Sequence, residues 1–252
     1  HREDWRITRR DVTRHLIQGI PLGLQFSVLA IGIIVMQSVI VQFDTLGGEM
    51  VSNAAQNGFG AANKLNNLLM TPLNGLGAAM TSFTAQNLGA GDHARIKKGT
   101  VQALIIVWTM CLISIAAGLL LSRGGGYLYI FLSPDKVTAE TMRYGNTYLY
   151  VDLSLYLFLG FIFVVRNCVQ GIGKPQFVLG AGAAELAARV SVCLLLPPLI
   201  AGGAVNSDAP RAAVYALCFA DPFAWMAADA VLLVPFLRNI MKMDYRYLKG
   251  TM

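Results

Sequence analysis

The chain has 252 residues, 55% of them hydrophobic and 13% charged, with a formal net charge of +6. Its mean hydropathy is +0.54. Soluble domains carry about 25% charged residues, so a soluble globular class is excluded and an all-α polytopic protein of the lipid bilayer is expected. The positive charge fits loops that face anionic lipid, and no nucleic-acid-binding motif competes with that reading.

Residues 1–15 form a basic flank with Arg2, Arg6, Arg9, Arg10 and Arg14. A first span is predicted over Leu16–Val41, with Pro21 near its start and Gln25 and Gln37 along it. Residues 43–48 (FDTLGG) read as a short acidic turn. The second helix, Glu49–Phe83, is the most informative stretch. Asn53, Gln56, Asn57, Gly60, Asn63, Lys64, Asn67, Thr71 and Asn74 recur at steps of three and four, which stacks them on one face. In so apolar a chain that face must meet another helix or a water-filled cavity. Gln37, Asn53, Gln56, Asn57, Asn63, Lys64 and Asn67 are therefore candidate cavity residues. Pro72 is expected to break the helix.

A hydrophilic loop, Gln86 to Arg95, leads to a third span at Thr100–Leu121. Residues 122–136 re-enter with a short apolar patch, Tyr127–Leu132, assigned to the membrane interface. A fourth span covers Thr141–Val169 and ends in QGIGKP (residues 170–175); a fifth covers Phe177–Leu199 and a sixth Ala212–Leu237. Residues 16–237 thus form one six-helix unit, followed by a basic tail at 238–252. Six spans put both termini on one side. With the N-terminus inside, that face carries thirteen Lys and Arg and the other face four, the remaining three lying within spans. Positive charge concentrates in cytoplasmic loops, so both termini and the Gln86–Arg95 loop are expected in the cytoplasm. The chain begins at His1 without a signal segment, from which a fragment of a longer protein is expected.

Chemistry-bearing motifs are sparse. The four cysteines sit in apolar runs without metal-ligand spacing, and the three histidines lie in cytoplasmic flanks, so no catalytic, cofactor or metal residue is assigned. Charges within spans are the informative ones, because each needs a partner or water. Lys64 is either a cavity charge or a snorkelling, paired lysine. Asp152 is the best candidate carboxylate for the cavity; the alternative is an interface residue near the outer surface. Arg166 reads as a structural hydrogen-bonding group, and Glu185 and Arg189, four apart, as an ion pair. Asp221 and Asp229 line a pathway or bond neighbouring helices. A weak internal echo pairs Gln86-Asn87-Leu88-Gly89 with Gln170-Gly171-Ile172-Gly173.

From Gln86 through Gly99 the chain resembles the C-terminal half of a MATE (multidrug and toxic compound extrusion) transporter. Supporting pieces occur in the expected order: residues 19–27 (GIPLGLQFS), residues 72–79 (PLNGLGAA), the Gln86-Asn87, Gly89-Ala90-Gly91 and Arg95 loop, Arg166 followed by Gln170-Gly171, Glu185 with Arg189, and Ala224-Trp225. The resemblance implies one lobe of a twelve-helix, two-lobed fold, its helices matching seven through twelve. It implies a multi-pass plasma-membrane antiporter that exports amphiphilic small molecules, often cationic, against a proton or sodium gradient. An N-terminal lobe would be its partner. It also marks Gln86, Asn87, Gly89, Gly91, Arg95, Arg166, Gly171, Glu185 and Arg189 as structural or gating residues. One branch of the family has carboxylates where this chain has Leu29 and Leu159, so that branch's cation site does not carry over and coupling is expected in the other lobe. The competing readings are a lipid-linked sugar flippase of the same superfamily, which would need a strongly basic cavity, and a non-transporting membrane subunit.

Overall fold

A computed structural model describes residues 8–242. Residues 1–7 of the expected basic flank (1–15) and residues 243–252 of the expected tail (238–252) lie outside the described residues. Helix α1, Arg9–Gln42, opens on a reciprocal cap in which the Thr8 hydroxyl accepts from the Asp11 N–H and Asp11 accepts from the Thr8 N–H.

The predicted second helix does not start at Glu49. Thr45–Leu46 (β1) and Glu49–Met50 (β2) pair as a small antiparallel hairpin. Gly47 and Gly48 turn it with φ of +61° and +90°, the backbone a two-residue hairpin loop requires. Helix α2 runs Ala54–Gly89. Asp44, in the expected acidic turn, is fully buried and accepts from the Ala55 and Gln56 N–H groups at 3.0 and 2.9 Å. Its carboxylate satisfies donors that the first turn leaves free and complements the positive end of the helix.

Pro72 does not break α2, which continues through it. Flanking side chains bond carbonyls of this stretch: Thr71 donates to the Asn67 carbonyl and Asn74 to that of Met70. The carbonyl that Pro72 leaves without its helical donor is that of Leu68, and both residues are exposed, so the ring meets no neighbouring helix among the described residues. The hydrophilic loop is also shorter than expected, because α3 begins at His93 and runs to Ser122. At the α2–α3 joint the Asp92 N–H reaches the Asn87 carbonyl and the Gly91 N–H that of Leu88. Gly91 has φ +74°. This is a Schellman cap, and its left-handed residue favours glycine. The same cap ends α6: Lys174 bonds Val169, Gly173 bonds Gln170, and Gly173 has φ +74°. Both segments thus end in the same cap, but the match pairs Gly89 and Gly91 with Gly171 and Gly173 and not Gln86 with Gln170, so the expected echo does not hold residue for residue.

After a short 3-10 turn, α4 (Leu128–Phe131) packs Tyr127 and Leu128 completely into the bundle and leaves Tyr129 and Ile130 exposed. The expected interfacial patch is thus half core. The fourth span is two helices, α5 (Ala139–Ser154) and α6 (Tyr156–Gly171), bent by 57° at Leu155. Helix α7 is Pro175–Ala201. The sixth span is α8 (Arg211–Cys218) followed by α9 (Ala220–Pro235), with a wide turn at Phe236–Met241.

Among the described residues four helices are long and apolar enough to cross a membrane, or five if α5 and α6 count as one span. The remaining expected span, the second, is α2, which has 36 residues, about 54 Å; its polar stripe keeps it out of that apolar set. The helices form two groups. Helix α2 packs on α3, α5 and α6, whereas α7 packs on α1, α8 and α9. Glycines set the closest approaches in the first group. A Cβ on Gly58 would meet the Thr141 carbonyl, and one on Gly77 would meet Asn167. Small residues that let backbones approach are the usual basis of helix packing in lipid.

Candidate functional site: a polar cavity between two helix groups

A cavity of about 440 Å³ opens between the two groups, within the size range of small-molecule sites. Helix α2 contributes Asn63, Asn66, Asn67 and Asn74, and α1 faces it with Gln25, Leu29 and Met36. Leu159 of α6 also lines it. The two positions at which the resemblance implies carboxylates in other members therefore face this cavity as leucines.

The opposite wall is charged. Arg166 donates to Glu185 at 2.7 Å, and Glu185 meets Arg189 at 3.5 Å. Arg189 is held to Asp221 at 2.7 Å, and Tyr148 donates to the other oxygen of Asp221 at 2.8 Å. The chain runs across α6, α7, α9 and α5, and all five residues line the cavity. Two guanidiniums face two carboxylates, so the row is balanced, as buried charges must be. Gly32 leaves room for it, because a Cβ there would lie 3.1 Å from the Arg189 side chain. Asp229 sits close enough to Arg166 and Glu185 to feel both charges.

Behind Tyr148 lies Asp152, fully buried. Its Oδ2 accepts from the Asn66 amide at 2.8 Å, and its Oδ1 has no partner. The Asn66 Oδ1 is likewise unpartnered, while the Tyr156 hydroxyl donates to the Asn66 backbone carbonyl at 3.4 Å. Asp152 is therefore a core residue that does not line the cavity, which corrects its reading as the cavity carboxylate.

The other candidates divide cleanly. Asn63 and Asn67 reach the cavity; Asn67 donates to Asn63, and Asn63 donates to the Tyr148 hydroxyl. Lys64 is exposed and is not among the lining residues. One step along a helix is about 100° of rotation, enough to turn it away from its neighbour Asn63. Gln37 is exposed outside the cavity for the same reason, being next to the buried Met36. Asn53 and Asn57 line a separate open cleft with Asp135, Lys136 and Glu140, and Gln56 rests on the Met50 sulfur at 3.9 Å.

The motif residues build joints. Gln86 is exposed, and the Asn87 amide donates to the Phe83 carbonyl at 2.7 Å. Gly89 and Gly91 end α2, and Arg95 lies 6.0 Å from the Phe83 ring centroid. A Cβ on Gly171 would lie 2.7 Å from the Thr81 carbonyl, so α6 passes close over α2 there. The sequence reading missed Asn66, Tyr148 and Gln25. Asn66 was legible, three residues after Asn63 on the same face; Tyr148 carried no such signal.

A bundle of membrane-length helices that encloses a polar, charge-balanced cavity defines a polytopic membrane protein. The MatE family model matches residues 30–195, and the chain belongs to this family, the MATE transporters. A curated relative, "Probable multidrug resistance protein YpnP" of Bacillus subtilis (strain 168), is 30% identical over 174 residues. The alignment covers 64% of this chain and 33% of the relative, so the match spans about a third of that protein's length. No solved structure gives a significant match.

Proposed function

We propose that the chain supplies one six-helix lobe of a secondary active exporter of amphiphilic compounds, driven by a proton or sodium gradient across the plasma membrane. A second lobe, N-terminal to this one, completes the substrate chamber. The observation that carries the proposal is the cavity itself. Four asparagines of α2 face a row of ion pairs across about 440 Å³, and polar groups are retained at such depth where they meet water or a ligand. The relative's name as a multidrug resistance protein supports the substrate class. The thirteen-to-four charge bias supports cytoplasmic termini. A sugar-lipid flippase would want a basic cavity, whereas here Glu185 and Asp221 match both arginines.

The test is drug accumulation in cells that express the intact protein. Asn67→Leu and Asn63→Leu are expected to change the range of compounds exported at unchanged protein level. Lys64→Ala, outside the cavity, should leave that range unaltered. If Lys64→Ala shifts the range and both asparagine variants do not, this cavity is not the substrate chamber.

A further inference from the structure

We propose that Gln25 of α1 is the acceptor through which this cavity selects compounds that carry an N–H donor on an apolar body. The inference rests on the exporter reading above and deepens it, by naming a residue that sets which compounds the cavity takes.

The cavity does not attract by net charge. Its charged lining residues are Arg166, Arg189, Glu185 and Asp221, two of each sign, and they pair with one another. A permanent cation therefore finds no uncompensated carboxylate on this wall, and recognition falls to shape and hydrogen bonding. The apolar lining includes Phe26, Ile33, Phe59 and Trp225, which suits an aromatic body.

Gln25 supplies the polar contact. It lines the cavity, is 3% exposed, and its Oε1 is buried without a hydrogen-bond partner. It stands midway along α1, about 24 Å from Arg9, and so far from water at either end of the helix. A bare amide oxygen at that depth carries a desolvation cost, which a ligand N–H removes on binding. The side chain is also held in place. Gly182 of α7 lies against its stem, where an added Cβ would stand 3.0 Å from the Gln25 Cγ. Glu185 is three residues further along the same face of α7, so the acceptor sits next to the charged row.

Two other lining residues have unpartnered buried atoms, but both are anchored elsewhere. Arg166, with its free Nε, is bound by Glu185, and Asn66, with its free Oδ1, is tied to Asp152. The Gln25 amide has no such anchor among the described residues.

The test measures binding of two dyes to the purified intact protein in detergent by equilibrium dialysis. Pararosaniline and crystal violet share one triarylmethyl cation; the first ends in NH2 groups and the second in N(CH3)2 groups. Gln25→Leu is expected to weaken pararosaniline about ten-fold and to leave crystal violet within about two-fold. Gln25→Met, which keeps the length of the side chain without its acceptor, should reproduce that change. Without dye, both variants should unfold at or above the wild-type Tm, because the bare oxygen is gone. A lower Tm with equal weakening of both dyes would make Gln25 a packing residue and overturn the proposal. So would no effect on either dye, or no binding of pararosaniline to wild type. The readout needs no transport, so a dye preference that holds while cells export neither dye would refute the exporter reading alone.

Discussion

Glu185 joins two arginines, and replacing it by glutamine is the sharpest test of the charged row. The carboxylate sits 2.7 Å from Arg166 and 3.5 Å from Arg189, with side chains 13%, 7% and 6% exposed for Arg166, Glu185 and Arg189. At 2.7 Å and an effective dielectric of about 20, the Arg166 attraction alone is about 6 kcal/mol. Part of this is offset in the native state by desolvation, and breaking a buried pair from one side typically costs about 3–5 kcal/mol. Arg189 keeps Asp221 after the change, and Asp229 is near Arg166, so the lower end, about 3 kcal/mol, is expected. For a unit of this size that is a Tm loss of about 6–12 °C. The assay is thermal unfolding of the purified intact protein at one scan rate. Arg166→Gln combined with Glu185→Gln should cost less than the sum of the singles, by about 1 kcal/mol or more. A Tm within about 2 °C of wild type, together with additive singles, would refute the idea that Glu185 compensates buried guanidiniums.

Other expectations follow from the same geometry. A cysteine at Leu46, in the hairpin, should react with an impermeant thiol reagent in intact cells and one at Ala90 should not; the reverse would overturn the orientation. The four cysteines of this chain are buried, and the protein without the added cysteine serves as the blank. Gly91→Ala should lower stability by about 1–2 kcal/mol through left-handed backbone strain, whereas Gly89→Ala, on the same joint with nothing within 4 Å, should not; equal losses would argue against the cap. Gly58→Leu should prevent α2 from closing on α5, since even a Cβ there meets the Thr141 carbonyl. Normal yield and Tm for that variant would show that the approach is not required.

Much of this protein was readable because lipid leaves few options. An unsatisfied backbone group in hydrocarbon costs several kcal/mol, so long apolar runs must be helices. The ranges predicted for the first, third and fifth spans accordingly agree with α1, α3 and α7 to within a few residues at most ends. The third helix starts earlier than predicted, since hydropathy drops at its basic first turns and its hydrogen bonding does not. The Glu185–Arg189 pair was legible for a local reason: i, i+4 neighbours face each other on any helix.

The sequence by itself determined the membrane class, the family, the polar stripe of α2 and the balance of charge across its loops. It did so through composition and helical period, both of which are local. Which of Asn63 and Lys64 enters the cavity was decided only by how α2 docks on α5 and α6, because helical period fixes relative angles but not which face meets a neighbour. The same holds for Asp44, a turn residue in the sequence that folds back to cap a helix eleven residues on. It holds most of all for Tyr148, Asp221 and Asp152. Their proximity depends on α5 breaking at Leu155 and on α9 crossing α7, and residues that meet across helices leave no period in the chain.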